Sequence, residues 1–542
     1  MKIAIGQINP EVGDFSGNLE KISEAITEGK RARADLLVFP EHALIGYPPR
    51  DLLLRRGFVE AAGAAFQEVV RKSMTIPIVI GHIAGTSTTV GNQNDLFHWQ
   101  PYALQNAAFL LGYGKILGFQ AKKHLPSFDV FEEERYFYPP EEMEILEFEG
   151  LRLGLSVGED FWYADGPFAD QGRAGVDLLI NVSASPFFRG KAKLRYALGK
   201  GWASKTNAPL VYANLVGAQD DLVFDGRSFA VRPDGQFLMA CPGFVEGVFV
   251  TDLAAPPVPP PLEDGFDEIY QALILGIRDY CWKNGVKKAV VGVSGGVDSA
   301  VVAALAVAAL GPTNVLAAFL PGPYTAAISK DGAKTVAENL GIELLEISIV
   351  PAFETLRRTL SGAINVAGLV EENLQARIRG VILMALANAT GGIVLCPGNK
   401  AEIAMGYNTL YGDTVGAIAP IGDLLKDEVY ALARLINEKA GRPIIPEEVL
   451  TRPPSAELRP NQRDEDDLPP YALLDLCLRA LFEENAAYSE LVKKFGEKLT
   501  TEVLRRLYRS EYKRRQLPIV LKVTPKAFGL GWRFPITHGF SG

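Results

Sequence analysis

The segment SGGVDS, residues 294–299, constrains the fold of this chain more than any other. It follows the apolar run KKAVVGV and precedes the apolar run AVVAALAVAAL. A strand that ends in a glycine-rich turn and leads directly into a helix is the unit of a doubly wound parallel sheet, whose ligands bind at the carboxyl ends of its strands. Such a turn presents backbone N–H groups, two hydroxyls and a helix N-terminus to an anion. It lacks the lysine of a Walker A loop, so transfer of a γ-phosphate is not indicated.

Length and composition narrow the class of protein. The chain has 542 residues, more than one domain usually holds. Its net charge of −9 and its pI near 5.4 disfavour binding to nucleic acid or to an anionic membrane. The four cysteines form no CxxC pair, and the N-terminus has no long apolar run of the signal-peptide kind. We therefore expect a soluble, cytoplasmic protein.

Two segments of alternating strand-like and helix-like character flank a proline-rich stretch. Residues 1–253 alternate in this way from KIAIGQI to PLVYANLVG, which predicts an α/β layered domain. Residues 254–264, AAPPVPPPLED, predict a semi-rigid linker. Residues 265–542 start with the helix-like FDEIYQALILGIRDYCWKNG and contain SGGVDS, which predicts a second α/β domain built on a doubly wound parallel sheet.

Further motifs follow SGGVDS in the second domain. ENLQARIR, residues 372–379, predicts the start of a helix that exposes Asn373 with Arg377 and Gln375 with Arg379. The residues predicted on its buried side are Leu374, Ile378, Val381, Ile382 and Ala385. Three more stretches follow: PGNKAEIAMGYNTLYGD at 397–413, the loop-like RPPSAELRPNQRDEDDLPPY at 452–471 and the basic EYKRRQLP at 511–518.

Taken in this order, the motifs of residues 265–542 resemble those of the NAD synthetases, a family of the ATP pyrophosphatase type. The resemblance implies a ligase that adenylylates deamido-NAD with ATP and Mg²⁺ and then amidates it to NAD, releasing AMP and pyrophosphate. It also implies that Asn373, Glu402 and Lys513 bind deamido-NAD and that Asp298 and Glu402 lie near Mg²⁺. The residues implied in ATP binding are Gly292, Val293, Ser294, Gly295, Gly296, Val297, Asp298, Ser299 and Pro397.

The second domain departs from the family motif at two positions. Where the family has Thr-Gly-Asn-Lys-Ser-Glu, this chain has Pro397 in place of the threonine and Ala401 in place of the serine. Proline carries no hydroxyl, so one contact to ATP that the resemblance implies is in doubt. The synthetase activity that the resemblance implies is not put in doubt by this change.

Residues 1–253 resemble a nitrilase-type amidase, which implies an αββα sandwich that releases ammonia from glutamine. Glu41, in FPEHALIGYPPRDLL, matches the general base of that family. Lys122, in KKHLPSFDVFEEERYF, matches the lysine that stabilises the tetrahedral intermediate. Ser185 and Lys191, in SASPFFRGK, match residues that bind glutamine in the glutamine-dependent synthetases.

The segment LRLGLSVGEDFWY, residues 151–163, predicts a half-buried strand that ends at Gly158. The amidase family has its nucleophilic cysteine at this position, and glycine has no side chain that could attack an amide. We therefore expect an inactive glutaminase and an ammonia-dependent synthetase. Alternatively, the chain is a glutamine-dependent NAD synthetase in which Gly158 is an introduced, inactivating change. Phe128, in place of a glutamine-binding tyrosine, and Glu132, in place of an aspartate, also depart from the family.

Two other functions fit parts of the sequence less well. A regulatory module with a catalytically dead amidase scaffold would leave the synthetase motifs without a role. A tRNA-thiolating ATP pyrophosphatase is disfavoured by the acidic charge and by the lack of a paired catalytic cysteine. The expected partners are deamido-NAD, ATP and ammonia or glutamine, with no nucleic acid and no membrane. A homo-oligomer, a dimer or larger, is expected, although the sequence does not give the quaternary state.

Overall fold

The computed structural model describes residues 1–86, 103–259 and 265–540. The chain divides into two compact units, Met1–Asp264 and Gly265–Gly542. Of the predicted linker, residues 260–264 lie outside the described residues. The preceding part contacts the first unit, where the Val258 N–H donates to the Phe237 carbonyl oxygen at 2.7 Å.

The first unit is built from two mixed sheets of six strands each in its described part. The strands are β1 (Lys2–Gln7), β2 (Leu36–Val38), β3 (Ile78–Thr86), β4 (Ala103–Gly112), β5 (Lys115–Ala121), β6 (Leu146–Phe148), β7 (Leu151–Val157), β8 (Leu178–Ser183), β9 (Leu210–Asn214), β10 (Val216–Gln219), β11 (Leu222–Asp225), β12 (Phe229–Val231), β13 (Phe237–Ala240) and β14 (Gly247–Asp252). The helices are α1 (Phe15–Arg31), α2 (Arg56–Lys72), α3 (Pro167–Ala174) and α4 (Lys191–Thr206).

Each sheet of the first unit has a parallel centre and antiparallel edges. One sheet has the order β14-β1-β2-β3-β4-β5, with β1, β2 and β3 parallel. The other has the order β13-β12-β9-β8-β7-β6, with β7, β8 and β9 parallel. Strands β10 and β11 form a separate antiparallel pair. The carboxyl ends of the central strands therefore lie together at one edge of each sheet.

Three apolar layers hold the first unit together. Between the two sheets, residues such as Ile5 and Val38 pack with Leu155 and Ile180. On the outer face of the first sheet lie α1 and α2, and on the outer face of the second lie α3 and α4. This is the αββα sandwich that the sequence predicts. Full burial of one leucine or isoleucine side chain contributes about 1.5–3 kcal/mol, so each of these layers is a large source of stability.

Strand β7 is more buried than the sequence predicts. Its alternating pattern indicates a half-buried strand, but every residue from Leu153 to Val157 is buried. One face meets the opposing sheet, and the other lies under α3, where a Cβ atom on Gly154 would come 2.7 Å from the Gln171 side chain. Glycine at 154 therefore lets the helix approach the strand closely.

The second unit is a parallel sheet with helices. Its helices are α5 (Phe266–Lys283), α6 (Val297–Leu310), α7 (Ala327–Leu340), α8 (Val350–Ser361), α9 (Leu369–Thr390), α10 (Lys400–Met405), α11 (Lys426–Ala440), α12 (Glu447–Thr451), α13 (Tyr471–Phe482), α14 (Tyr488–Phe495), α15 (Glu497–Arg509) and α16 (Glu511–Arg514). Its strands are β15 (Ala289–Gly292), β16 (Val315–Phe319), β17 (Glu343–Glu346), β18 (Ile393–Leu395), β19 (Ile418–Ala419) and β20 (Ile519–Val520).

The sheet of the second unit has the order β17-β16-β15-β18-β19-β20, and every pair is parallel. The strand order reverses direction at β15, the strand that leads into SGGVDS. In a sheet of this kind, the crevice at such a reversal is where ligands bind. The doubly wound parallel sheet predicted from the sequence is confirmed.

The predicted burial of α9 is partly wrong. Val381 is 69% exposed and Ala385 is also exposed, although both were expected on the buried side. Gln375, expected on an exposed face, is fully buried because its Nε2 donates to the Leu458 carbonyl oxygen at 3.0 Å. A distant loop therefore covers a polar face of the helix that its own periodicity marks as exposed.

Within the described residues, no helix is both long and apolar enough to cross a membrane. The cysteines at 241, 281, 396 and 477 are all buried and free of disulfide bonds.

Candidate active sites

Three positions singled out by the sequence meet at one point in the first unit. Glu41 lies three residues after β2, Lys122 directly follows β5, and Gly158 directly follows β7. These strands belong to two different sheets, so facing strand ends bring together residues that are more than 110 positions apart in the chain. The side chains of Glu41 and Lys122 are each 1% exposed.

A buried ion pair joins Glu41 and Lys122. The Lys122 Nζ donates to Glu41 Oε1 at 3.0 Å and to Glu133 Oε1 at 2.7 Å. Glu41 also accepts from the Asn106 side chain at 2.6 Å and from the Ala184 N–H at 2.8 Å. A carboxylate held by three donors in this way is fixed in position, as a general base must be.

Gly158 lies against this ion pair. A Cβ atom built on Gly158 would come 2.7 Å from Glu41 Oε2 and 2.7 Å from Lys122 Nζ. The backbone at Gly158 has a φ of +49°, a conformation that side-chain-bearing residues rarely adopt. A side chain at 158 would therefore touch both Glu41 and Lys122, but glycine supplies none. None of the four cysteines lies in a segment that lines this point.

The residues implied in glutamine binding lie around the same strand ends. The Ser185 N–H donates to the Asn214 side chain at 2.9 Å, and its hydroxyl is buried with no hydrogen-bond partner among the described residues. Lys191 is buried at the start of α4, where its Nζ donates to the Pro186 carbonyl oxygen at 3.0 Å. Phe128, in contrast, is 51% exposed and contacts Phe131 edge-on.

The charges of the first site depend on one another. Burial favours a neutral Glu41, but Lys122, His42 and Asn106 together outweigh that effect and lower the pKa of Glu41. Burial raises the pKa of Glu133 to about 7, and the charge of Glu41 adds to this effect. The two glutamates together raise the pKa of Lys122 in spite of its burial. The site thus keeps an ionised Glu41 and a protonated Lys122 near neutral pH.

A second site surrounds SGGVDS in the second unit. One cavity there is lined by residues from the loop, from the 397–415 segment and from the 452–464 segment. The loop residues that line it are Gly292, Val293, Ser294, Gly296, Val297, Asp298 and Ser299. Gly296 caps α6, so the N-terminus of that helix opens toward the cavity. Gly295, with φ of +83°, lies against the Ser329 carbonyl, where a Cβ atom would clash.

Two carboxylates and a lysine meet in this cavity. The Lys426 Nζ lies 2.5 Å from Asp298 Oδ2 and 3.5 Å from Glu402 Oε1. The Asn399 side chain donates to Asp298 Oδ1 at 3.0 Å and accepts from the Glu402 N–H at 3.0 Å, so it also caps α10. Pro397 lines the cavity as well, at the position where the family has threonine.

Asn373 and Lys513 are not part of the lining of this cavity but converge on the segment beside it. The Lys513 Nζ donates to the carbonyl oxygens of Gly406 and Asn408 at 2.8 and 2.6 Å. Asn373 accepts from the Thr409 hydroxyl at 2.8 Å. The structure therefore places both residues at one segment, and that segment contributes Asn408 to the cavity wall.

The sequence analysis missed three residues that complete these sites. Glu133 and Asn106 hold the first ion pair, and Lys426 holds the second pair of carboxylates. Glu133 lies in the acidic run EEER, ten residues after Lys122, and such a run indicates a possible partner for the lysine. Asn106 lies inside a strand and Lys426 at the start of a helix, and neither local pattern indicates a site.

Comparisons with known proteins agree with this division. The carbon-nitrogen hydrolase family model matches residues 2–257, and the NAD synthase family model matches residues 269–517. A glutamine-dependent NAD(+) synthetase from Synechocystis sp. is 41% identical over 99% of this chain and 99% of its own length. Another glutamine-dependent NAD(+) synthetase, from Thermotoga maritima, is 38% identical over 100% of this chain and 99% of its own length. The structure of glutamine-dependent NAD+ synthetase from Acinetobacter baumannii in complex with ADP has a TM-score of 0.76 and 33% identity, covering 99% of this chain and 98% of that one.

The raised pKa of Glu133 makes a prediction about stability. The folded chain keeps a proton on Glu133 that the unfolded chain releases between pH 4.5 and 7, so the free energy of unfolding falls as the pH rises through that window. Glu133→Gln keeps an acceptor for Lys122 but cannot titrate. We expect this variant to lose less of its free energy of unfolding between pH 4.5 and 7 than the parent chain does, as measured by urea unfolding at several pH values. The control is Glu134→Gln, which changes an exposed neighbour. An unchanged fall in Glu133→Gln would contradict the assignment.

Proposed function

The chain belongs to the family of glutamine-dependent NAD(+) synthetases, and on that premise we propose that it amidates deamido-NAD to NAD at the expense of ATP. The observation that carries the proposal is the meeting of the SGGVDS loop with Asp298, Glu402 and Lys426 in one cavity at the carboxyl ends of parallel strands. That a homo-oligomer forms and acts in the cytoplasm stays a prediction.

The first step that we propose is adenylylation. A nicotinate carboxylate is a poor electrophile, because it would have to expel an oxide ion. Its oxygen attacks the α-phosphorus of ATP, the bond from that phosphorus to the bridging oxygen of the β-phosphate breaks, and pyrophosphate leaves. The N-terminus of α6, which begins at Val297 in this loop, would receive the pyrophosphate charge.

The residues present fit a magnesium ion. Asp298 and Glu402 approach the same Lys426 ammonium, so their carboxylates are near enough to share a cation. Mg²⁺ typically takes one or two carboxylates and completes its shell with substrate phosphates and water. Bound by Asp298 and Glu402, it would neutralise charge on the departing pyrophosphate. Lys426 holds both side chains in position, and burial raises the pKa of Glu402 to about 8.

The second step is amidation. Ammonia attacks the carbonyl carbon of the adenylylated intermediate, the bond from that carbon to the AMP oxygen breaks, and the nitrogen loses one proton to give the neutral amide. We propose that Asn373 and Lys513 hold the deamido-NAD, because both are fixed to the 406–409 segment beside the cavity.

The names of the relatives support glutamine as the family's nitrogen donor, and they favour the second of the two sequence-based readings. We propose that this chain is a glutamine-dependent synthetase whose amidase unit lacks its nucleophile at Gly158. Glu41 would be the base and Lys122 the group that stabilises the tetrahedral intermediate. With Gly158 in place, no acyl-enzyme can form, and the synthetase unit depends on free ammonia.

The proposal for the synthetase unit is tested by product formation. With ATP, Mg²⁺, deamido-NAD and ammonium, the chain should form NAD, AMP and pyrophosphate in equal amounts, as measured by chromatography. Asp298→Asn removes one charge from the metal and phosphate site and should lower kcat/KM roughly hundredfold or more. The matched control, Asp331→Asn, changes an exposed aspartate in α7 and should leave turnover unchanged. Undiminished turnover in Asp298→Asn would refute the assignment.

The proposal for the amidase unit is tested by restoring the thiol. Gly158→Cys should give measurable but low release of glutamate from glutamine, because Glu41 and Lys122 must shift slightly to admit a Cβ atom. Adding Phe128→Tyr should increase it, since one neutral hydrogen bond contributes on the order of 1 kcal/mol, or roughly fivefold. Gly158→Ala, which adds the Cβ atom without the thiol, is the control and should stay inactive. Absence of glutaminase activity even in the double variant would mean that the pocket as well as the nucleophile is lost.

A further inference from the structure

Arg379 shares the cavity with the SGGVDS loop but has no role in the mechanism above. It lies in α9, and its Nε donates to the Leu320 carbonyl oxygen at 3.0 Å, just beyond the end of β16. One helical turn further on, Leu383 lies 3.2 Å from the position of a Cβ atom on Gly292. One turn earlier, Gln375 holds the Leu458 carbonyl. The Arg379 guanidinium therefore lies at the end of β16, where its Nη2 is 2.7 Å from the position of a Cβ atom on Gly322, and it lines the same cavity as the SGGVDS loop.

Arg379 differs from the other cations of the cavity in its pairing. Among the described residues that line it, the lysines and arginines are Arg379, Lys426 and Arg452. Lys426 is paired with Asp298 and Glu402, and Arg452 with Glu457. Within the described chain, Arg379 has no carboxylate at ion-pair distance, and its Leu320 bond leaves the two Nη groups available.

The charge of Arg379 is maintained in spite of its surroundings. Burial lowers the pKa of Arg379 to about 10, and the nearby carboxylates of Glu457 and Asp413 oppose that effect without contacting it. The guanidinium is therefore protonated at neutral pH. A half-buried cation without a paired carboxylate, facing a cavity, is favourably placed to receive an anion.

We infer that Arg379 binds the α-phosphate of ATP and of the adenylylated intermediate. This inference rests on the proposed function, in which residues 294–299, Asp298 and Glu402 take the pyrophosphate end. The α-phosphate is then the remaining charged group of the nucleotide, and it stays on the substrate when pyrophosphate leaves. A guanidinium forms two parallel hydrogen bonds to a phosphate, which fixes the phosphorus in position as well as its charge.

Two other roles for Arg379 are chemically possible and make different predictions. The guanidinium could stack on the adenine ring, in which case it would bind adenosine as well as AMP. It could also serve only to brace α9 against the end of β16, in which case its loss would weaken both ligands equally or lower the melting temperature. Adenosine and AMP differ by the α-phosphate alone, so their affinities separate these roles.

The test measures binding of AMP, adenosine and inorganic pyrophosphate to the full chain by calorimetry. In Arg379→Gln we expect AMP to bind about 10- to 100-fold more weakly, as for loss of hydrogen bonds to a charged group. Adenosine and pyrophosphate should change by less than about twofold on the same scale. Arg379→Lys keeps the positive charge but not the two parallel N–H donors of the guanidinium, and it should recover part of the AMP affinity. Arg358→Gln, at an exposed arginine of α8, is the matched control.

Equal weakening of AMP and adenosine, or no weakening of AMP, would overturn the inference, as would failure of the parent chain to bind AMP. Thermal unfolding of each variant shows whether Arg379→Gln is folded, and Arg379→Lys serves as the second variant if it is not. If the parent chain binds AMP but forms no NAD from deamido-NAD, the proposed function fails, while the comparison of AMP with adenosine still decides what Arg379 binds.

Discussion

Parallel pairing of central strands is the constraint on which both candidate sites depend. It brings successive carboxyl ends to the same edge of a sheet, so short loops after β2, β7 and β15 meet residues from distant parts of the chain. At each edge a lysine then joins two carboxylates: Lys122 joins Glu41 and Glu133, and Lys426 joins Asp298 and Glu402. Removing Lys122 would leave the buried Glu41 without its charged partner, which typically destabilises a protein by about 3–5 kcal/mol.

The two sites differ in completeness. In the second unit, the SGGVDS loop, the Glu402 side chain, Lys426 and Arg379 line one cavity. In the first, the hydrogen bonds that join Glu41 to Lys122 and Asn106, and Lys122 to Glu133, are 2.6–3.0 Å long, but the adjoining Gly158 has no side chain. Ordered charges without a nucleophile can position an amide but cannot form a covalent intermediate with it.

Much of this follows from the sequence, and the exceptions have physical causes. The strand, turn and helix around SGGVDS are local features, and their pattern predicts the parallel sheet. The burial of Gln375 and the exposure of Val381 cannot be predicted from the sequence of α9 alone. The loop that contains Leu458 covers one face of α9, and no described element covers Val381 on another face. Asn106 and Lys426 join the sites only because they contact Glu41 and Asp298, which are distant in the sequence. The hydrophobic periodicity of a strand or helix does not predict such contacts.

We propose that the synthetase unit is active and that Gly158 leaves the amidase unit without a nucleophile. A competition between nitrogen donors tests it most directly. The chain is supplied with ATP, Mg²⁺, deamido-NAD, ¹⁵N-labelled ammonium and an excess of unlabelled glutamine, and the amide nitrogen of the product NAD is read by mass spectrometry. We expect the amide to carry ¹⁵N throughout. An amide that carries mainly ¹⁴N from glutamine would contradict it.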